Sequence, residues 1–279
     1  EGRIEALESI CGYLKKQNEK YVIMTDSNVA VNFDFNDLLH AHMASGADAT
    51  VVYRKQEIPD SLIRKSTETV DMYYALGING DHVSKIYVNP TEKGKMNFCL
   101  NIYVMERECL IRMIDDAYVH GYTNFVRDIL ERQIEHLDVR GYCYDGYVAQ
   151  IHDMKSYFEE NMKLLQEENL NALFSGNQIY TKIRDDNPTR YINGSKAKNI
   201  MVADGCVIEG EVENSVLFRG VRIGKGAKVK NCVLMQDTVV EDNASVEYVI
   251  TDKDVTITEG KSLTGNDSFQ VFVAKGQTV

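Results

Sequence analysis

The sequence predicts two joined folds, an α/β domain and, after it, a parallel β-helix of hexapeptide repeats. Two observations predict the β-helix. Ile223-Gly224-Lys225-Gly226-Ala227-Lys228-Val229 returns 17 residues later as Val240-Glu241-Asp242-Asn243-Ala244-Ser245-Val246, and Ile257 lies a further 17 on. Ser215-Val216-Leu217, Cys232-Val233-Leu234 and Val249-Ile250-Thr251 recur at the same spacing. An apolar residue followed four later by a small one, in units of six, marks stacked solenoid coils. A third observation predicts the α/β part: in the first half, helical periodicity alternates with short continuous apolar runs.

Taken in order, Ile4, Leu7, Ile10, Cys11 and Leu14 give an amphipathic helix over 4–17. Tyr21-Val22-Ile23-Met24-Thr25-Asp26 reads as a buried strand ending in an acid. A helix carrying Leu38, Leu39 and Met43 follows, with Gly46 as its C-cap. Ala49 to Tyr53 is the next strand, and this β-α-β order predicts a parallel sheet with right-handed crossovers. The stretch 71–105 predicts three shorter strands, and helices are expected at 107–119 and 124–136. Ser156 to Leu170 reads as one helix with Phe158, Met162 and Leu165 on a single face. The expected domains are 1–176 (α/β), a linker at 177–197 that holds Pro188, and the solenoid at 198–279. The apolar end Phe269-Gln270-Val271-Phe272-Val273 is expected to cap the last coil or to pair across a subunit boundary.

Composition narrows the function. The 279 residues suffice for two modest cores, and 44% hydrophobic with 26% charged residues is ordinary for a globular chain. A formal charge of −11 argues against a nucleic-acid partner. No apolar run approaches the ~20 residues of a membrane helix, and the opening residues carry no signal-peptide pattern, so a cytoplasmic protein is expected. The six cysteines form no C-x-x-C pair, which points to reduced thiols, with Cys206 and Cys232 at positions that want small side chains. His40 and His42 stand two apart on a helix and so share no face; His152-Asp153 reads as a helix entry with Asp153 as N-cap. Neither G-x-x-x-x-G-K-[ST] nor G-x-G-x-x-G occurs. The solenoid has no histidine, as the base of a hexapeptide-repeat acyltransferase would require.

An α/β domain, a linker and a C-terminal hexapeptide solenoid together resemble the sugar-nucleotide pyrophosphorylases, above all ADP-glucose pyrophosphorylase (glucose-1-phosphate adenylyltransferase) of bacterial glycogen synthesis. The resemblance runs from Tyr21 onward. It implies a Rossmann-like, mostly parallel nucleotidyltransferase sheet and a left-handed β-helix. It also implies a preceding strand and Gly-rich nucleotide loop, so the α/β domain is expected to be incomplete at its N-terminal side. Where the family has Gly-Asp-His with a magnesium-binding aspartate, this chain has Thr25-Asp26-Ser27. Where it has Glu-Lys-Pro with a lysine for the sugar phosphate, this chain has Val88-Asn89-Pro90. Ser-Met-Gly-Ile-Tyr becomes Cys99-Leu100-Asn101-Ile102-Tyr103, and Asp-Phe-Gly-Lys-Asp becomes Asn124-Phe125-Val126-Arg127-Asp128. The second metal acid falls at Gln150, whose amide oxygen is neutral; the match resumes at Tyr157, Phe158 and Asn161.

Scaffold positions persist while chemical positions drift, a pattern that resembles the non-catalytic, regulatory (GlgD-type) subunit. The resemblance then implies a catalytic subunit as partner, a homo- or hetero-oligomer (a tetramer in this family) and a phosphorylated small-molecule effector. Magnesium is implied only if activity is retained, with Asp26 as its one candidate ligand; the ordinary alternative is that Asp26 caps the following turn. For the effector, Arg219, Arg222, Lys225, Lys228 and Lys230 are the anion candidates, against the plain alternative of a solvated solenoid face. Three other functions remain open: an active adenylyltransferase completed by the missing segment, an acyltransferase, and a translation-factor-type binding scaffold.

Overall fold

The computed structural model describes residues 3–59, 62–63, 73–182 and 184–279. They divide into two compact units: Phe33–Gly146 with the residues up to Val29, and Tyr147–Val279 with Ala30–Asn32. The strands expected from 71 onward therefore begin at described residue 73, and positions 71 and 72 lie outside the described residues.

The first unit is a mixed sheet with helices packed on it. In chain order it holds α1 (Arg3–Leu14), β1 (Tyr21–Thr25), α2 (Phe35–Ser45), β3 (Ala49–Glu57), β4 (Tyr74–Asn79), β5 (His82–Val88), β6 (Lys95–Glu106), α3 (Arg107–His120), a π-helix (Phe125–Glu131) and β7 (Val139–Cys143); β2 (Val29–Val31) falls between β1 and α2. The sheet order is β1-β6-β3-β7-β5-β4. β3 and β7 pair parallel, whereas β6 lies antiparallel between β1 and β3. The pairings thus point β1, β3, β4 and β7 one way and β5 and β6 the other. β6 is central and covered on both faces, so Leu100, Ile102, Val104 and Met105 are all fully buried.

Local chemistry fixes the ends. Ile4, Leu7, Cys11 and Leu14 of α1 point into the core at helical spacing. Gly46 closes α2 in the left-handed region at φ 66°, and Gly121 does the same for α3 at φ 68°. On α2 the apolar face differs in detail from the expectation. Met43 is exposed, and His42 is buried in its stead with Nδ1 2.8 Å from the Thr50 hydroxyl. Burial lowers the His42 pKa by penalising the charged ring, while His40 stays exposed.

The second unit opens with β8 (Val148–Gln150), which pairs with β2, then α4 (Met154–Lys163) and α5 (Glu167–Phe174). The single helix expected over 156–170 is thus two. Turn-type bonds from Leu164 N–H to the Asn161 carbonyl and from Leu165 N–H to the Met162 carbonyl tighten the end of α4, and the Asn169 amide donates to the Lys163 carbonyl. Asp153 caps α4 in a capping box with Ser156.

The solenoid begins earlier than residue 198, with short strands at Arg190–Tyr191 and Lys196–Val202. Its coils stack in parallel register. Glu211, Lys228, Ser245 and Ser262 lie side by side, as do Val216, Val233 and Ile250, each step spanning 17 residues. Arg190 to Val207 is also 17, whereas Lys196 to Glu211 and Val207 to Arg222 are 15, because the turn at Glu209-Gly210 is two residues shorter than that at Gly224-Lys225-Gly226-Ala227. The core is a set of aligned rows, among them Ile208, Ile223, Val240 and Ile257, and Val212, Val229 and Val246. Cys206 and Cys232 are buried in it, as small residues should be. One corner is an asparagine ladder: Asn199, Asn214 and Asn231 all adopt positive φ (49°, 47° and 50°), and each amide donates to the next oxygen at 2.8 and 2.6 Å. After Gly265–Gln270, strand Val271–Val273 rejoins the stack beside Val249–Thr251, so the apolar end extends the last coil.

Three outward faces result. One carries the rows Lys196–Glu211–Lys228 and Lys198–Glu213–Lys230–Glu247. A second carries Arg190, Val207, Arg222 and Val239. The third is apolar: Met201, Val216, Val233, Ile250 and Phe272 form one outward row, and Phe158 of α4 packs on its middle three members. This packing is why α4 gathers with the solenoid in the second unit.

Candidate functional site

Asp26 follows β1 directly, at the carboxyl end of a sheet strand, where α/β folds place ligands. Its carboxylate is taken by Arg3 of α1, whose Nη2 donates to both oxygens at 2.7 and 2.6 Å. The guanidinium carbon lies 5.7 Å from the centroid of the Tyr103 ring. Below it the Tyr103 hydroxyl donates to Asn101 Oδ1 at 2.9 Å and sits 3.5 Å from Cys99 Sγ. Full burial pushes the Tyr103 phenol well above its ordinary range and raises the Cys99 thiol, so both are neutral donors. Asn101 has φ 56°, the left-handed region, inside β6. The family motif has glycine there, and asparagine is among the residues that tolerate that backbone best.

Asn89, at the position of the sugar-phosphate lysine, is also committed to the backbone. With φ 47°, its Oδ1 accepts from Tyr73 N–H at 2.9 Å and its own N–H donates to the Tyr73 carbonyl at 2.9 Å. The Tyr73 hydroxyl donates to the Pro90 carbonyl at 2.6 Å. Asn89 and Pro90 therefore lock the end of the β4–β5 hairpin.

The segment Asn124–Asp128 begins the π-helix. Asn124 Oδ1 caps it by accepting from Val126 and Arg127 N–H, and the Asn124 amide donates to Tyr74 Oη at 2.8 Å. Asp128 accepts from the N–H groups of Thr123 and Asn124 at 3.1 and 2.9 Å, and Arg127 Nε lies 2.7 Å from its other oxygen. The guanidinium of Arg127 first, and the two backbone donors with it, hold the Asp128 carboxyl well below the usual carboxylate range. Arg127 thus spends its charge on its neighbour.

Gln150 ends β8 in the second unit, half-buried, and contributes a neutral amide. Magnesium prefers anionic oxygens with open coordination positions. Asp26 offers two oxygens that already accept from Arg3, and no group of three or more His, Cys, Asp and Glu among the described residues is arranged to hold a metal. The donor set does not suit magnesium.

The five cations proposed for an effector do not converge. The chain from Arg219 to Lys230 winds through two corners and two faces of a coil. Arg219 sits at one corner, Arg222 on the second face, Lys225 at the next corner, and Lys228 and Lys230 on the charged face. Lys230 lies between Glu213 and Glu247 and is 3.7 Å from the latter. Proximity along the sequence is not proximity in space when each coil turns through three faces.

Arg3 escaped the reading of the sequence. It lies 23 residues from Asp26, and only the pairing of α1 with the sheet brings the two together.

Comparison with known proteins gives a consistent picture. A family model described as GlmU-like, C-terminal hexapeptide, matches residues 183–270. The glycogen biosynthesis protein GlgD of Bacillus subtilis is 30% identical over 95% of this chain and 65% of its own length. A glucose-1-phosphate adenylyltransferase of Geobacillus stearothermophilus is 29% identical over 82% of this chain and 58% of that protein. The GlgD protein of the same organism is 31% identical over 82% and 54%. The chain thus spans between about half and two thirds of the length of these relatives. No helix among the described residues is long and apolar enough to cross a membrane. The motifs read from Asp26 to Asn161, the hexapeptide match and the GlgD matches agree in what this chain is similar to: the GlgD proteins and, with them, the glucose-1-phosphate adenylyltransferases.

Proposed function

We propose that the chain acts in ADP-glucose synthesis (ATP and glucose 1-phosphate giving ADP-glucose and diphosphate) as a regulatory and assembly subunit beside a catalytic one. One observation carries the reading: both oxygens of Asp26, the one metal-binding acid kept from the family pattern, accept from Arg3 of the same chain. Nucleotidyl transfer needs a metal to neutralise charge building on the phosphoryl oxygens. An acid already neutralised by an internal guanidinium is a poor ligand for it. Asn89 and Gln150 support the reading, since neither supplies the charge its family counterpart would.

The test is an assay of ADP-glucose formation by the purified chain, by a glucose-1-phosphate adenylyltransferase, and by the two mixed, across a series of phosphorylated metabolites. The chain alone is expected to form no product and to change the rate or effector response of the mixture. Product formed by the chain alone, or a mixture that behaves as the adenylyltransferase alone, overturns the proposal.

A further inference from the structure

On two faces of the solenoid the outward rows are charged or mixed; on the third, two neighbouring rows are apolar. The first of these, Val216–Val233–Ile250, is covered by Phe158 of α4. Two positions along, the chain turns outward again at Ala203, Phe218 and Met235, which stack through the bonds from Ala203 N–H to the Leu217 carbonyl and from Phe218 N–H to the Leu234 carbonyl. In this second row Phe218 is 37% exposed and Ala203 and Met235 are half-buried, and Asp252 follows Met235 on the next coil. With Met201 and Val216 the row's apolar side chains wall a groove of about 450 Å³.

The rim of the groove is cationic. Arg219 and Lys253 border it, with Gln236 between them on the intervening coil. Among the described residues neither side chain enters an ion pair or a side-chain hydrogen bond. In a chain of net charge −11 such a pair beside an apolar strip is conspicuous. The two cations stand two coils apart, and coils stack at about 4.8 Å, so about 10 Å separates them along the solenoid axis. An α-helix rises about 1.5 Å per residue, so about seven residues, two turns, span that distance on one helix face. α4 already lies on this side of the solenoid and packs its apolar stripe against the adjoining row.

We propose that this groove docks an acidic amphipathic α-helix of another polypeptide, laid alongside α4. Its apolar stripe covers Phe218 and Met235, and two carboxylates about seven residues apart meet Arg219 and Lys253. The proposal concerns the solenoid alone and does not depend on the regulatory reading of the Asp26 site.

The test uses the whole chain and a fluorescein-labelled synthetic helix of about 15 residues, with leucines at helical spacing and glutamates about seven apart. Fluorescence anisotropy is expected to give saturable binding that weakens with salt. Phe218→Ala and the pair Arg219→Glu/Lys253→Glu, at a half-buried and an exposed position, are each expected to weaken it at least about tenfold. Arg222→Glu/Lys225→Glu, on another face and corner, is expected to leave it unchanged. A peptide with lysines for the glutamates is expected to prefer the Arg219→Glu/Lys253→Glu chain. Circular dichroism shows whether each variant is folded, and the charge-reversal arm tests the site even if Phe218→Ala is not. Absence of saturable binding, equal binding of the two peptides, or binding indifferent to the Arg219/Lys253 reversal overturns the proposal.

Discussion

Replacing Asp128 by alanine removes the acceptor that organises the entrance to the π-helix. Its side chain is 7% exposed and receives the N–H groups of Thr123 and Asn124. A hydrogen bond to a charged group contributes about 1.5–3 kcal/mol, but Thr123 is at the surface and its N–H regains water. The Arg127 contact adds little, because that guanidinium is 43% exposed. The expected loss is therefore about 2–4 kcal/mol for Asp128→Ala, and about 1–2 for Asp128→Asn, which keeps one acceptor oxygen. The pH dependence has a definite sign. A carboxyl whose folded pKa is depressed stabilises the fold above its unfolded value of about 4, and that stability is lost as pH falls toward the folded value. Urea unfolding of the wild-type chain and Asp128→Asn should show a constant gap from pH 7 to 5 that narrows below about pH 4. A gap below about 0.5 kcal/mol at pH 7, within the range of ordinary surface changes, or one that widens on acidification, refutes the assignment.

Three further outcomes are expected. Phe158→Ala should cost about 3–5 kcal/mol, because the ring is buried on Val216, Val233 and Ile250; hydrogen exchange should show α4 losing protection while Phe158→Leu keeps most of it. Asn231→Ala should lose about 1–2 kcal/mol, since alanine pays for φ 50° and drops the bond from Asn214, whereas Asn231→Gly should lose less; thermal unfolding ranks the pair. A thiol reagent should label Cys143, which is exposed, in the native chain, while Cys232, buried with its thiol pushed up to about 12, should react only on unfolding, as peptide mapping of the labelled sites will show.

Period and burial were legible in the sequence because each leaves a local trace. The 17-residue repeat became the strand register of the coils, and Ile223, Val240 and Ile257 became part of a core row. Gly46 and Asp153 capped the helices expected of them, since capping depends on residues only a few positions apart. What escaped depends on distance in the chain. The antiparallel place of β6 between β1 and β3 follows from pairings between residues far apart in the chain, such as Tyr21 with Glu106 and Ala49 with Met105, and no periodicity encodes it. The split between α4 and α5 hangs on the Asn169 side chain, a polar residue that helical spacing alone passes over. In the candidate site Asp26 and Asn89 were visible as kept and altered positions, but the partners that set their roles, Arg3 and Tyr73, were not. The basic residues between Arg219 and Lys230 misled for the opposite reason: near in sequence, they face apart on the coil.

The altered positions of the α/β unit share a physical logic. A metal site leaves carboxylate charge and unusual backbone to be stabilised even when no metal is held there, because a partly buried anion without a partner is costly. Arg3 supplies the positive charge at Asp26. Asn101 keeps the left-handed backbone for which the family motif uses glycine, and adds an oxygen that orients Tyr103. Asn89 takes another left-handed position and ties it to Tyr73. At Asn89 a group suited to a phosphate gives way to one that satisfies the chain itself, and at Asp26 the kept acid is neutralised from within the chain. On the proposed reading, such changes favour an internally neutralised unit over one that must stay open for substrate, the trade expected when catalysis does not constrain a site. On the proposed reading, the solenoid faces the opposite demand. Its core rows are filled and its corners bonded, yet Phe218 remains exposed in an apolar groove bordered by Arg219 and Lys253, which enter no ion pair among the described residues. On that reading, a chain that neutralises Asp26 and ties down Asn89 from within one unit and leaves that strip accessible in the other makes its outward interactions through the solenoid.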